Sequence, residues 1–79
     1  MFVNVITKSS CINNNNYPVI AVVFSNNEVN RSECEDVIKW QFDEDELTWE
    51  FDSITQRWDV SNQDYVICHV SVHEVISTG

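Results

Sequence analysis

The sequence predicts a small α+β domain in the element order ββαβββ: a mostly antiparallel sheet with one helix packed on one face. Three observations carry that expectation. Short, β-branched apolar runs open the chain, and a clean apolar/polar alternation closes it. Between them a single segment has apolar residues at helical spacing. The length of 79 residues suits one domain spanning 1–79, and a hydrophobic content of 43% is enough for a compact core.

The elements follow in order. Residues 2–7 are apolar and β-branched, and predict a first strand. Residues 8–16 are polar and end in the tract Asn13, Asn14, Asn15, Asn16, which predicts a loop. Residues 19–24 are continuously apolar, which predicts a strand covered on both faces and paired antiparallel with the first. The period then changes. Ser32 followed by Glu35 has the capping-box pattern, with Glu33 and Asp36 favourable at a helix N-terminus. Cys34, Val37, Ile38, Gln41 and Phe42 form one stripe, so a helix is expected over 33–42, fraying through 43–46. Four consecutive carboxylates, Asp43, Glu44, Asp45 and Glu46, oppose the helix dipole and should end it there.

Alternation follows. Leu47, Trp49 and Phe51 share one strand face, under the helix stripe, while Thr48, Glu50 and Asp52 share the other. Residues 53–56 turn the chain, and 57–60 form a short partner strand carrying Trp58 and Val60 together. Residues 61–64 read as a loop. Residues 65–73 alternate most regularly, with Val66, Cys68, Val70 and Val72 facing one way and Tyr65, Ile67, His69, Ser71 and His73 the other.

Charge narrows the function classes. The formal net charge is −9, from 13 acidic and 4 basic residues. All of it lies between Glu28 and Asp64, because Lys8 and Glu74 cancel outside that segment. Such an acidic chain is not expected to bind nucleic acid directly or an anionic membrane. The first residues lack the basic start and long apolar stretch of a secretory signal, and no apolar run approaches a membrane span, so a cytoplasmic location is expected. Three widely spaced cysteines, Cys11, Cys34 and Cys68, make a poor disulfide framework and are expected as reduced thiols. The Asn30-Arg31-Ser32 sequon is then a chance match.

The chain shows no motif for catalysis, a cofactor or a metal. Asp43-x-Asp45 opens like a calcium loop, but Thr48 stands where the turn glycine belongs and Ile54 where the bidentate Glu belongs. His69 and His73 would share a helix face, but on a strand they stand roughly 13 Å apart, too far for one ion. No nucleophile elbow or phosphate loop is present.

The acidic residues themselves are suggestive. Glu50 and Asp52, two residues apart on one strand face, are separated by roughly 6.8 Å, close to the spacing of successive phosphates. Asp36 and Asp43 lie two turns apart on the helix, away from the apolar stripe. Trp40 sits among Asp36, Asp43 and Glu44 on the helical wheel, either as an interface anchor with an acidic rim or as part of a wide core over a sheet edge. Trp49 and Trp58 are expected in the core.

A short, very acidic α+β chain with the dense Asp43, Glu44, Asp45, Glu46 cluster and no active-site signature resembles small phage-encoded inhibitors of host machinery, including anti-CRISPR proteins and other DNA mimics. The resemblance implies occupation of a nucleic-acid or partner surface on a host protein. The expected function is therefore a non-enzymatic inhibitor of a basic, nucleic-acid-handling protein. Asp36, Asp43, Glu44, Asp45, Glu46, Glu50 and Asp52 would supply charge and Trp40 an anchor. Two other readings remain: an antitoxin or immunity protein neutralising a basic toxin enzyme, and a self-assembling module, such as a homodimer, pairing through residues 65–73 as an exposed edge strand.

Overall fold

A computed structural model describes residues 1–9 and 18–76. They form β1 (Phe2–Lys8), β2 (Val19–Ser25), α1 (Arg31–Phe42), β3 (Thr48–Asp52), β4 (Arg57–Ser61) and β5 (Val66–Glu74), the order the sequence predicts. Most of the loop expected over 8–16, with Cys11 and the asparagine tract, lies outside the described residues.

All strand pairs are antiparallel, and the sheet order is β2-β1-β5-β4-β3. β1 and β2 pair directly, as expected. The chain then crosses by way of α1 from one edge of the sheet to the other, and β3, β4 and β5 return as a meander to β1. This placement corrects one expectation: β5 is the central strand and cannot serve as an exposed edge. Among the described residues the edges are β2 and β3.

Helix α1 begins earlier than the Ser32/Glu35 pattern suggests. Asn30 is the N-cap: its Oδ1 accepts the Glu33 N–H at 3.2 Å, and its Nδ2 donates to Glu33 Oε2 at 2.9 Å. This pair caps the helix two residues before the predicted box could. Glu35 instead lies between Arg31 and Lys39, at 3.6 and 3.9 Å. The helix ends at Asp43, whose φ of 54° puts it in the left-handed region, and both the Asp43 and Glu44 N–H groups turn back to the Lys39 carbonyl.

Cross-strand partners share a face. The register therefore aligns Trp49, Val60 and Cys68 in one row and Phe51, Trp58, Val70, Ile6 and Ala21 in the next. Cys34 and Ile38 of α1 are buried against this face, and Val37 and Phe42 flank them half-buried, while Phe51, expected under the helix, is exposed at the β3 edge. Gln41 is exposed, as the polar member of the stripe. Trp49 is buried and Trp58 packs half-buried beside it, their rings edge to face at 6.0 Å. Ile67 departs from strand parity. Val60 pairs with Cys68 and Ser61 with Val66, so Ile67 is the extra residue of a bulge, and it turns inward to be buried.

The opposite face of the sheet has no covering layer among the described residues. This corrects the expectation for β2: Val19, Val22 and Phe24 are exposed there. A continuous apolar run does not distinguish a strand buried on both faces from one whose second face is open. Among the described residues, no helix is long and apolar enough to cross a membrane.

Candidate acidic interaction surface

The antiparallel β3–β4 pairing determines what the acidic cluster meets. Thr48 pairs with Ser61, so the loop leading into β3 and the loop leaving β4 lie at the same end of the sheet. Together they line a cleft of about 360 Å³ with Asp43, Glu44, Asp45, Glu46, Asn62, Gln63 and Asp64. Five carboxylates face it, and none of its lining residues is basic.

Asn62 holds the two loops together. Its Oδ1 accepts the Asp64 and Tyr65 N–H groups at 2.8 and 2.9 Å, which folds the β4–β5 loop into an Asx turn. Its Nδ2 donates to Glu44 Oε1 at 3.0 Å, across to the other loop. The left-handed backbone at Asp43 performs the complementary task, turning the chain out of the helix so that residues 44–46 run along the cleft. Neither Asn62 nor Asp64 stands out in the sequence, where residues 61–64 read only as a polar loop. The cue was available in the predicted β3–β4 pairing, which places that loop beside residues 43–46.

Trp40 resolves toward solvent. It is 79% exposed, so it is no part of a wide core. Asp36, Trp40 and Asp43 are spaced i, i+4 and i+7 and are all exposed, forming one ridge of α1 that leads to the cleft. The nearby cations are occupied elsewhere: Arg31 and Lys39 both approach Glu35, and the Arg31 guanidinium lies over the Trp49 ring, 5.4 Å from its centroid.

The remaining predicted residues lie apart. Glu50 and Asp52 project from the open face of β3, across the sheet from α1. Glu50 stands opposite Asp59, whose Oδ1 is 2.7 Å from His69 Nδ1. Asp52 is committed to local structure. Its Oδ1 accepts the N–H groups of Ile54 and Thr55 at 2.9 and 3.4 Å, which folds the β3–β4 turn. Those backbone hydrogen bonds, Ile54's foremost, hold the Asp52 carboxyl below its ordinary value of 3.8. The predicted acids thus divide into a helix-and-loop set around one cleft and a pair on the far face.

The groups considered for other chemistry sit separately. Cys34 and Cys68 are buried free thiols. Burial, reinforced by the charge of Glu33, pushes Cys34 up from 9.0 to about 11. Burial, with Cys34 as neighbour, pushes Cys68 to about 12. Both are protonated at neutral pH and lack the thiolate that nucleophilic attack requires. His69 and His73 lie on a strand, as expected, and find different partners: Asp59 for the first and Ser71 Oγ, at 3.1 Å, for the second. Among the described residues no three His, Cys, Asp or Glu side chains are arranged to hold a metal ion.

Comparisons with protein-family models, with curated proteins and with solved structures each found no match to this chain.

Proposed function

We propose that this chain is a non-enzymatic inhibitor that binds a basic surface of a nucleic-acid-handling host protein, occupying it as an acidic mimic of nucleic acid. The observation that carries the reading is the convergence of Asp43, Glu44, Asp45, Glu46 and Asp64 on one cleft without a lining cation, beside the exposed Trp40. Uncompensated carboxylates at one end of a chain of net charge −9 create a directional field that attracts a basic partner and accelerates encounter. Once docked, Trp40 offers a large apolar side chain to desolvate, which slows dissociation. Glu50 and Asp52, on the other face of the sheet, contribute to the long-range field rather than to the same contact. The setting proposed is the cytoplasm of a phage-infected cell, where a small acidic inhibitor would meet host nucleases or effector complexes.

The test is capture by the tagged chain from host lysate at low and at high salt, with and without added DNA. The expected result is a nucleic-acid-binding protein retained at low salt, released at high salt and displaced by DNA. Retention that is indifferent to salt and to DNA overturns the mimic reading. Specific capture of a toxin enzyme would instead identify an antitoxin.

A further inference from the structure

We propose that β2 is a self-association edge, through which two copies of this chain pair antiparallel to continue the sheet across a two-fold axis. This inference rests on the other end of the molecule from the acidic cleft and is independent of it.

The two edges of the sheet differ. β3, Thr48–Asp52, carries Glu50 and Asp52, and edge carboxylates oppose strand-to-strand association. β2, Val19–Ser25, carries no charged residue at all and no proline. Its one irregularity is confined to the Val19 end, where Thr7 pairs with Val19 and Ile20 is left over, so Ala21–Ser25 is a regular stretch. Val22 and Phe24 are 46% and 61% exposed on the open face, beside the half-buried Val3 and Val5 of β1.

A second copy is the occupant that the charge distribution fits. Two chains of net charge −9 repel, and they can approach closely only across a surface free of carboxylates. β1 and β2 carry one charged side chain between them, Lys8, and the carboxylates nearest to them in the pairing and the chain, Glu74 opposite Phe2 and Glu28 after Ser25, lie at one end, so the middle of the β2 edge is such a surface. Pairing through β2 also sends the two acidic clefts to opposite ends of a ten-stranded sheet. The ends of the strand are complementary as well. Lys8 stands near the Val19 end and Glu28 follows the Ser25 end, so an antiparallel partner brings unlike charges together. With the two-fold axis at Val23, Val22 of one copy opposes Phe24 of the other, a favourable β-branched–aromatic pair, twice over. A basic foreign partner would be drawn instead to the acidic end.

Sedimentation velocity on the full chain from about 1 μM to about 500 μM tests this, since so small a contact is expected to be weak. The expected weight-average mass rises toward twice the 9.2 kDa of one chain. Added salt should move the transition to lower concentration, because it screens the repulsion between copies. The double variant Val22→Lys, Phe24→Lys should move it at least tenfold higher. That variant brings the net charge nearer zero, so a loss of dimer reports the local contact and not a stronger global repulsion. Hydrogen exchange on the unaltered chain provides a readout independent of any variant: β2 amides should gain protection as concentration rises. A monomer mass across the whole range, a dimer untouched by the double variant, a dimer lost only with Trp40→Ala, or β2 amides indifferent to concentration each overturns the proposal.

Discussion

Asn4 is the only fully buried polar side chain among the described residues, and it joins three elements. Its Oδ1 accepts the Asn30 N–H at 2.7 Å, and the Cys34 thiol donates to the same oxygen at 3.6 Å. Its Nδ2 donates to the Glu28 carbonyl at 3.0 Å. One side chain on β1 thereby fixes the chain leading into α1 and the N-cap that starts it. Asn4→Ala leaves an N–H and a carbonyl without their partner and should cost about 2–4 kcal/mol in denaturant unfolding. Nothing in the sequence marks this role. Asn4 sits within a β-branched run, and its importance comes from the covered face, which the pairing register assigns. The cysteines were more legible, because both fall in apolar patterns. Since burial raises both thiols, the folded state favours the protonated form. Their contribution to stability is fully present below about pH 9 and is lost as pH rises through about 11 and 12. Alkaline unfolding monitored by Trp fluorescence should therefore be delayed in the Cys34→Ala, Cys68→Ala chain relative to its own neutral-pH stability.

The elements themselves were largely legible, because each has a periodicity. Helical spacing from Cys34 to Phe42 located α1, and alternation located β3 and β5 within a residue or two. The junctions were harder. The capping pattern Ser32/Glu35 and the pair Asn30/Glu33 look equally good as sequence, and only the tertiary bond from Asn30 to Asn4 distinguishes them. The β3–β4 turn offered no glycine, yet it forms: the Asp52 carboxylate accepts the Ile54 N–H, the Asp52 carbonyl accepts the Gln56 N–H, and Gln56 adopts φ of 58°. A non-glycine residue in that region is strained. Gln56→Gly should raise stability by about 0.5–1 kcal/mol, read as a higher denaturant midpoint at unchanged slope. A loss of stability would show that the Gln56 side-chain bond to the Ser53 carbonyl outweighs the strain.

At the scale of the whole molecule, charge polarity was legible and its geometry was not. The confinement of every acid to Glu28 and beyond can be read directly from the sequence. Strand order cannot, and strand order makes β5 central and leaves β2 as an uncharged edge. The alternation of β3 already places Glu50 and Asp52 on the face away from the helix, and the β3–β4 pairing brings Asp64 to the cluster at 43–46. The molecule thus has an acidic end and an uncharged edge, the first proposed to take a basic partner and the second its own copy. These two associations respond oppositely to salt, which weakens the first and strengthens the second.

The salt dependence of binding to the captured partner tests the central claim most directly. Affinity should be measured over a series of salt concentrations for the unaltered chain and for the variant Asp43→Lys, Glu44→Lys, Asp45→Lys, Glu46→Lys, with folding confirmed by circular dichroism. If the acidic end is the contact, the unaltered chain shows a steep linear fall of log affinity with log salt, and the folded variant loses binding at least a hundredfold at low salt. Equal affinities and equal salt slopes for the two proteins would contradict the account and leave the carboxylates as a solvated surface.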